Sequence, residues 1–499
     1  MSSKQLRSRF SRAGYIFSMM GSAIGFANIL SFSARCYKNG GGAFLIPFIL
    51  AVAVVGLPML FLEGIIGQAF QRPLVSAYGY VSGRKGRFFG WLAVISCATI
   101  GAFYAVLTGW SIAYTGFSAM GMIPEDVVNF FEKTFLQDSG SIENMGSFSP
   151  LIFFSTVAIM LFTWFVLVRD IQEGIEKVCS FFLPLLAMLI GLFTLVVFFL
   201  PGSLDGFIYF LKPDFSKLWD FSLWREVFGH VFFSFSLGLG IVVGYSRYTD
   251  QTMNIPRAML YVALGDFFIS FIAGFAIFGC VGFLSFMNNV SFESIIRSDS
   301  TFEMGFVIFP MILQCFTPAV AILIGALFFF SVFIAGITGV FSIVESVAGN
   351  VQEEFSLTRE RSVTFSILGM IALSFFFCMG NGIHLLAALE PMVIGNNMLI
   401  GGIAEVFIFM YVAKEIRDHH IWFQGEKRMY AFYMIRYFIL PILSIIFIGA
   451  LVTELRSGFA VPEMFRWGWF FFACVLSLLL SRERNSICPP MEASAAKKK

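Results

Sequence analysis

The sequence predicts an all-α integral membrane protein of about 12 transmembrane helices, and three observations carry that prediction. Of its 499 residues 58% are hydrophobic and 13% charged, with a mean hydropathy of +0.83, which excludes an ordinary soluble protein. Runs of roughly 20 apolar residues, the length that crosses a bilayer, recur near 12–36, 42–70, 88–122, 151–168, 177–200, 226–246, 258–286, 318–349, 362–379, 384–413, 430–453 and 465–481. Two of these runs are interrupted near their centres by small and polar residues, at a depth where lipid cannot satisfy a loosened backbone.

The first interruption lies in the stretch GSAIGFANILSFSARCYKNGGGAF, Gly21 to Phe44, where Gly21, Ser22, Gly25 and Asn28 occupy the middle of helix 1. Unwound backbone there frees carbonyls for a cation and amide N–H groups for an anion. Taken alone, the same small residues also fit a helix-packing face. Lys4, Arg7, Arg9 and Arg12 precede this helix and no Ala-x-Ala exit follows it, so helix 1 is expected to stay in the mature chain. Basic residues then mark the even-numbered loops: Arg72, Arg84, Lys85 and Arg87 after helix 2, Arg247 and Arg257 after helix 6. Arg359 and Arg361 follow helix 8, and Lys414, Arg417, Lys427 and Arg428 follow helix 10. The positive-inside bias makes those loops and both termini cytoplasmic, in a multi-pass protein of the cell (inner) membrane. The segment from Ile123 to Pro150 carries Glu125, Asp126, Glu132, Asp138 and Glu143 against Lys133 alone, as an outer loop should.

The eight cysteines form no C-x-x-C pair and read as buried small hydrophobes. Among the histidines only the adjacent His419 and His420 are close in sequence, and they lie in a charged loop, so no metal centre of the zinc type is indicated.

The second interruption is Phe233-Ser234-Phe235-Ser236-Leu237-Gly238-Leu239-Gly240 in helix 6, five helices after the first. Equivalent breaks in two five-helix halves point to an inverted repeat with a site between them. The chain then divides into a cytoplasmic N-terminus (1–11), a first five-helix repeat (12–200) and a second (201–413). Accessory helices 11 and 12 (414–481) and a cytoplasmic tail (482–499) complete it.

With these residues in place the chain resembles the neurotransmitter:sodium symporters, in their bacterial amino-acid branch. The resemblance covers nearly the whole chain. It rests on Gly14 to Glu63, with NGGGAF at Asn39 to Phe44 followed by Pro47, on Tyr104 with Gly109-Trp110, and on SFSLGLG from Ser234 to Gly240. Ala335-Gly336-Ile337-Thr338 and Glu390 through Glu405 complete it.

The resemblance implies a substrate carboxylate at the amides near Gly25 and Ala27 and at the Tyr104 hydroxyl. It places the substrate amino group at the carbonyls of Ala23, Phe233 and Ser234 and at the Ser236 hydroxyl, although Ser234 and Ser236 can also back-bond within their helix. Amine-carrying members have Asp where Gly25 stands, so a substrate bringing its own carboxylate is expected. Sodium site 1 maps onto Ala23, Asn28, Ser234 and Asp266 with the substrate carboxylate. Sodium site 2 maps onto the carbonyls of Gly21, Ile24 and Ala335 with the Thr338 hydroxyl. Oxygen-only shells suit a hard cation. Gly339 replaces a hydroxyl residue and removes one ligand of site 2, and Asp266 stands where the family usually has Asn. A carboxylate at that depth is a functional candidate in its own right.

The gates depart from the family as well. Ser31 replaces the outer-gate Arg that faces Glu390, and Arg35 appears one turn away, about 5.4 Å along the helix. At the inner end Arg7 or Arg9 is expected to pair with Glu353 near Tyr248, unless each is a solvated interfacial charge. The anion cage of chloride-dependent relatives maps onto Phe48, His230, Ser234 and Ser270, without the Glu of chloride-independent ones.

The side-chain pocket maps onto Ile100, Tyr104, Phe233, Ser236, Leu239, Gly339 and Ile343, an uncharged wall in which Leu239 and Gly339 are expected to leave room. The function implied is sodium-coupled import of a neutral, large apolar or aromatic amino acid by alternating access, with sodium as coupling ion, no other cofactor and no nucleic-acid partner. A carrier of another carboxylate or amine, coupled to sodium or protons, is the alternative. A channel should conduct without substrate, and an enzyme would need clustered acid, base or metal groups at one depth.

Overall fold

The computed structural model describes residues 9–295, 302, 304–413, 432–456, 458 and 460–482. Arg7, His419, His420, the charges of the loop from Lys414 to Arg428 and most of the C-terminal tail lie outside the described residues.

Among the described residues the architecture is helical throughout, with one isolated bridge, Phe148 to Met379. Ten helices are each long and apolar enough to cross a bilayer. They are α2 (Gly41–Phe70), α3 (Leu74–Ala119), α4 (Pro150–Leu167), α5 (Gln172–Phe198), α7 (Ile255–Asn288), α8 (Pro318–Glu354), α9 (Arg359–Phe377), α10 (Gly382–Val412), α11 (Met434–Arg456) and α12 (Val461–Leu480). Two further stretches are broken. One is α1a (Arg12–Ala23) with α1b (Ala27–Lys38), bent by 54°. The other is α6a (Phe221–Ser234) with α6b (Ile241–Ser246). Among the described residues ten helices, or eleven with the bent α1 pair, qualify as spans against about twelve predicted, since α6a and α6b are too short to qualify, and the two interruptions fall where the sequence places them.

Local chemistry sets the ends. Ser11 caps α1a by accepting the Gly14 N–H at 3.0 Å, and Asn254 and Thr358 cap α7 and α9 by the same device. Helix α3 starts earlier than the apolar run predicts, because a first segment from Leu74 is joined to the span across a kink at Gly83 (φ 59°, ψ −139°). That conformation has a strong steric cost for residues with a Cβ.

Burial separates core from periphery. In α3 89% of the most apolar window is buried within the protein, against 22% in α11 and 17% in α12. Helix α3 runs along α8, and α1a is held against α5, α7 and α8. Small residues permit the approach: a Cβ at Gly336 would lie 2.7 Å from Thr108 Oγ1 and 2.9 Å from Phe26 Cζ. Both breaks therefore sit inside protein, which is where a bilayer tolerates irregular backbone. Five described cysteines, Cys36, Cys97, Cys179, Cys280 and Cys378, are buried as expected, whereas Cys315 is exposed in the turn before α8.

Candidate functional site

At the first break Ile24 turns extended (φ −80°, ψ 105°) and the chain restarts as α1b at Ala27. Asn28 spans the gap. Its Oδ1 accepts the Gly25 N–H at 2.8 Å. Its Nδ2 faces Asp266 Oδ1 at 2.6 Å, Ser270 Oγ at 2.8 Å and Ser234 Oγ at 3.2 Å. Ser234 in turn donates to Asp266 Oδ1 at 2.8 Å, and Ser270 to the Asp266 carbonyl at 2.9 Å. Four polar side chains from α1b, α6a and α7 thus close on one point, each buried to 1% exposure or less.

At the second break Ser236 (φ 54°), Gly238 (φ 73°) and Gly240 (φ 74°) occupy the left-handed region. Ser236 does so with a side chain, a strain that persists only where surroundings over-determine it. Its hydroxyl donates to the Ser22 carbonyl at 3.2 Å and ties the two breaks together. Glu63 on α2 accepts the Gly238 N–H at 2.7 Å, satisfying one amide that the unwinding exposes. Gly238 needs its lack of a side chain twice over, since a Cβ would also lie 2.3 Å from the Met398 carbonyl oxygen.

The oxygen-rich cluster has an unmet acceptor. Asp266 Oδ2 is buried without a hydrogen-bond partner, a state that costs free energy unless a cation or donor arrives. The donor set around it is oxygen and amide only, which fits a hard monovalent cation such as sodium better than a transition metal. In the present arrangement it is the Asn28 nitrogen, not its oxygen, that faces Asp266.

Of the residues at the second expected cation position, Gly21 and Thr338 approach each other. A Cβ at Gly21 would lie 3.1 Å from Thr338 Cβ, so α1a and α8 touch there, and Ile24 and Ala335 are buried beside them. The Thr338 hydroxyl donates to the carbonyls of Ile334 (3.1 Å) and Ala335 (3.2 Å).

The expected carboxylate position differs in detail. The Gly25 N–H is taken by Asn28, and Tyr104 Oη accepts the Phe26 N–H at 3.2 Å. Ala23 and Ala27 are buried on either side of the break. Of the residues expected to line the side-chain pocket, Ile100, Leu239 and Ile343 are buried and Phe233 is half-buried. The room predicted at Gly339 is not there, because the Tyr104 ring fills it; a Cβ at 339 would lie 2.8 Å from Tyr104 Cε1. Of the positions of the anion cage, Ser234 and Ser270 belong to the polar cluster, while buried His230 is surrounded by Phe32, Phe44 and Phe48 at centroid distances of 5.7–6.0 Å.

The residues expected at the two gates carry charge. At one end Arg35 donates to Ser31 Oγ at 3.1 Å and lies 3.8 Å from Glu390 Oε1. At the other end Arg7, one of the two partners expected for Glu353, lies outside the described residues, and Arg9, the other, turns to Asp250. Arg9 pairs with Asp250 at 2.6 Å, and Glu353 accepts from Ser76 Oγ at 3.4 Å. The group beside Tyr248 is Glu345. Its Oε1 accepts from the Tyr248 hydroxyl at 2.9 Å and from Arg247 at 3.3 Å, and its Oε2 accepts from Arg359 at 2.9 Å. Arg247 also donates to the Tyr248 hydroxyl. Sequence reasoning missed Glu345, although a lone carboxylate inside the apolar run of α8 was itself a signal. Arg247 and Arg359 read from sequence only as loop charges.

Comparison with known proteins gives the same architecture. The profile of the Sodium:neurotransmitter symporter family matches residues 7–126 and 119–491. A sodium-dependent transporter of Methanocaldococcus jannaschii is 33% identical, over 84% of this chain and 85% of the relative. A sodium-dependent neutral amino acid transporter, SLC6A17 of Rattus norvegicus, is 28% identical over 55% of this chain and 40% of its own length. The crystal structure of MhsT in complex with L-phenylalanine covers 89% of this chain with a TM-score of 0.76 at 23% identity, a likeness of fold. The chain belongs to the sodium:neurotransmitter symporter family.

Proposed function

We propose that this sodium-dependent symporter imports a neutral amino acid with a large apolar or aromatic side chain by alternating access. One observation carries the reading: an acidic cluster with an unmet oxygen, Asn28, Ser234 and Asp266, lies at two facing helix breaks beside an uncharged wall of Ile100, Leu239 and Ile343. The cluster suits sodium and the substrate's charged ends, and the wall has no group to match Lys, Arg, Asp or Glu. A named relative carries neutral amino acids and MhsT holds L-phenylalanine, which supports the same substrate class. Sodium site 1 comprises Ala23, Asn28, Ser234 and Asp266. Site 2 comprises Gly21, Ile24, Ala335 and Thr338, and is weakened by Gly339. Helices α1 to α5 and α6 to α10 form the two repeats, the Arg9 end faces the cytoplasm, Arg35 and Glu390 gate the outside, and Glu345 with Tyr248 closes the inside. Transport needs no chloride, unlike that of the creatine transporter of Oryctolagus cuniculus that is 27% identical to this chain, because Asp266 supplies a fixed charge.

The test is uptake of labelled L-phenylalanine into proteoliposomes with and without an inward sodium gradient, in chloride and in gluconate. Sodium-driven uptake in both buffers is expected, with Leu, Met, Tyr or Trp competing better than Gly or Ala. Asp266→Asn is expected to abolish uptake or make it chloride-dependent. Current without substrate would show a channel, and better competition by Gly or Ala would overturn the assigned pocket.

A further inference from the structure

Tyr104 is gripped by two glycines on different helices. A Cβ at Gly25 would lie 2.1 Å from Tyr104 Oη, and a Cβ at Gly339 would lie 2.8 Å from Cε1, 3.0 Å from Oη and 3.1 Å from Cζ. Contacts under 3.0 Å are ones that real Cβ atoms essentially never make, so even alanine at either position displaces the ring or the helix. Phe26 packs on the same ring at 4.8 Å between centroids and donates its N–H to Oη at 3.2 Å. The phenol oxygen therefore lies in the break of helix 1, on an amide of the turn that opens α1b.

We infer that Gly339 is a positioning residue for substrate recognition: with Gly25 it forms a slot that holds Tyr104 over the helix break, where its hydroxyl meets the substrate carboxylate. The inference rests on the amino-acid reading above and adds a residue to it. It also reverses the sense of the glycine at 339. The missing side chain does not enlarge the pocket, since the volume it vacates is taken by the Tyr104 ring. An occupied Phe26 N–H means that an entering carboxylate displaces the phenol oxygen or shares its donor, so the position of the ring sets how acid is distinguished from amide. Side-chain size is then set by Leu239, Ile100, Ile343 and Phe233.

The experiment is a double-mutant cycle on the full-length chain in detergent and in proteoliposomes, with Gly339→Ala and Tyr104→Leu made singly and together. Two readouts are taken: the apparent Tm, and the competition ratio of L-phenylalanine to L-phenylalaninamide against labelled L-phenylalanine. Gly339→Ala is expected to lower Tm by several degrees in the wild-type background and by far less with Leu at 104, because the clashing ring is gone. It is expected to weaken L-phenylalanine binding at least tenfold and to lower the acid-to-amide ratio, which a general loss of packing would not move. Tyr104→Phe, which keeps the ring, is expected to lower that ratio without lowering Tm as far as Gly339→Ala.

Equal Tm losses from Gly339→Ala in both backgrounds would overturn the slot. If Gly339→Ser strengthens the sodium dependence of uptake and leaves L-phenylalanine affinity at the wild-type level, position 339 is only an absent sodium ligand and the inference fails. A wild type that binds no L-phenylalanine, yet shows the Tm cycle, overturns the recognition role and the amino-acid reading while leaving the steric slot established.

Discussion

The two charge clusters proposed as gates are built in different ways. At the Arg35 end an ion pair at 3.8 Å spans α1b and α10, with side chains 25% and 39% exposed. At the Arg247 end Glu345 is 1% exposed and takes hydrogen bonds from three side chains of two other segments. Water and salt screen the first, while the second acts at low effective dielectric and suffers if any partner is lost. The Arg35 end should therefore yield first. A wet pair at its distance limit holds little free energy and opens readily. A dry cluster with most of its valences met stays shut until a ligand-driven change breaks several bonds at once, so the resting protein should open toward the Arg35 side.

Removing the buried charge should have the largest effect. Glu345→Gln leaves Arg247 and Arg359 facing a neutral amide, and loss of one partner from a buried pair costs about 3–5 kcal/mol. Sodium-driven uptake is expected to fall about 100-fold or more, with an increased reaction of buried Cys97, 3.8 Å from the Ile343 carbonyl, toward a membrane-permeant maleimide. Uptake within threefold of wild type would show that the two ends are equivalent after all.

A finer cut is Tyr248→Phe, which removes one hydroxyl from the same cluster and keeps the ring that packs on Phe10. A hydrogen bond to a charged group contributes roughly 1.5–3 kcal/mol. Uptake should drop by about ten- to hundredfold and partly recover at lower temperature. If Tyr248→Phe costs as much as Glu345→Gln, the cluster acts through its shape and not its charge.

The wet end should respond weakly and in a salt-dependent way. Exposed pairs contribute roughly 0.2–1 kcal/mol, so Arg35→Glu or Glu390→Arg alone should cost about fivefold or less in uptake at low salt. The double reversal should restore most of it. Equal losses in all three variants, with normal membrane levels, would remove the pair from the gate.

What was legible in the sequence follows the same division. Hydropathy and small-residue interruptions are local properties, so most of the spans and both breaks could be read from the chain, whereas the meeting of Asn28, Ser234 and Asp266 was implied only by the family resemblance. Partner choice is not local. Arg247 and Arg359 stand at helix ends and read as topology markers, and only the packing of α8 beside α9 and the turn after α6b turns them onto Glu345. Gly339 misled for a related reason: a missing side chain in one helix says nothing about which ring of another fills the space. Ser236 was legible as a polar residue at a break, but its bond to the Ser22 carbonyl depends on a left-handed backbone that no period reveals.

The smallest effect is expected at Arg9 and Asp250, which belong to the dry end in position and to the wet end in character. Their side chains are 48% and 47% exposed, although the contact is short at 2.6 Å. The N-terminal strap has better anchors beside them: the Phe10 ring is buried against Tyr15, Tyr245 and Tyr248, and Ser11 bonds Glu176. The Asp250 carboxyl is held below its usual range, first by the Thr252 backbone N–H, then by the Thr252 hydroxyl and by Arg9. A carboxyl with a lowered folded pKa gives its stabilisation in full above the unfolded value, about 3.9, and loses it as pH falls through the lower folded one. Between pH 8 and 5 this pair should therefore add no slope to stability or uptake, and Asp250→Asn should change uptake by less than about threefold at any pH in that range. Thermal unfolding of wild type and Asp250→Asn at pH 8, 6.5 and 5 measures this directly. A wild-type loss of stability in that window that the variant lacks would mean the pair titrates as a buried one, and the dry cluster would then extend out to the N-terminal strap.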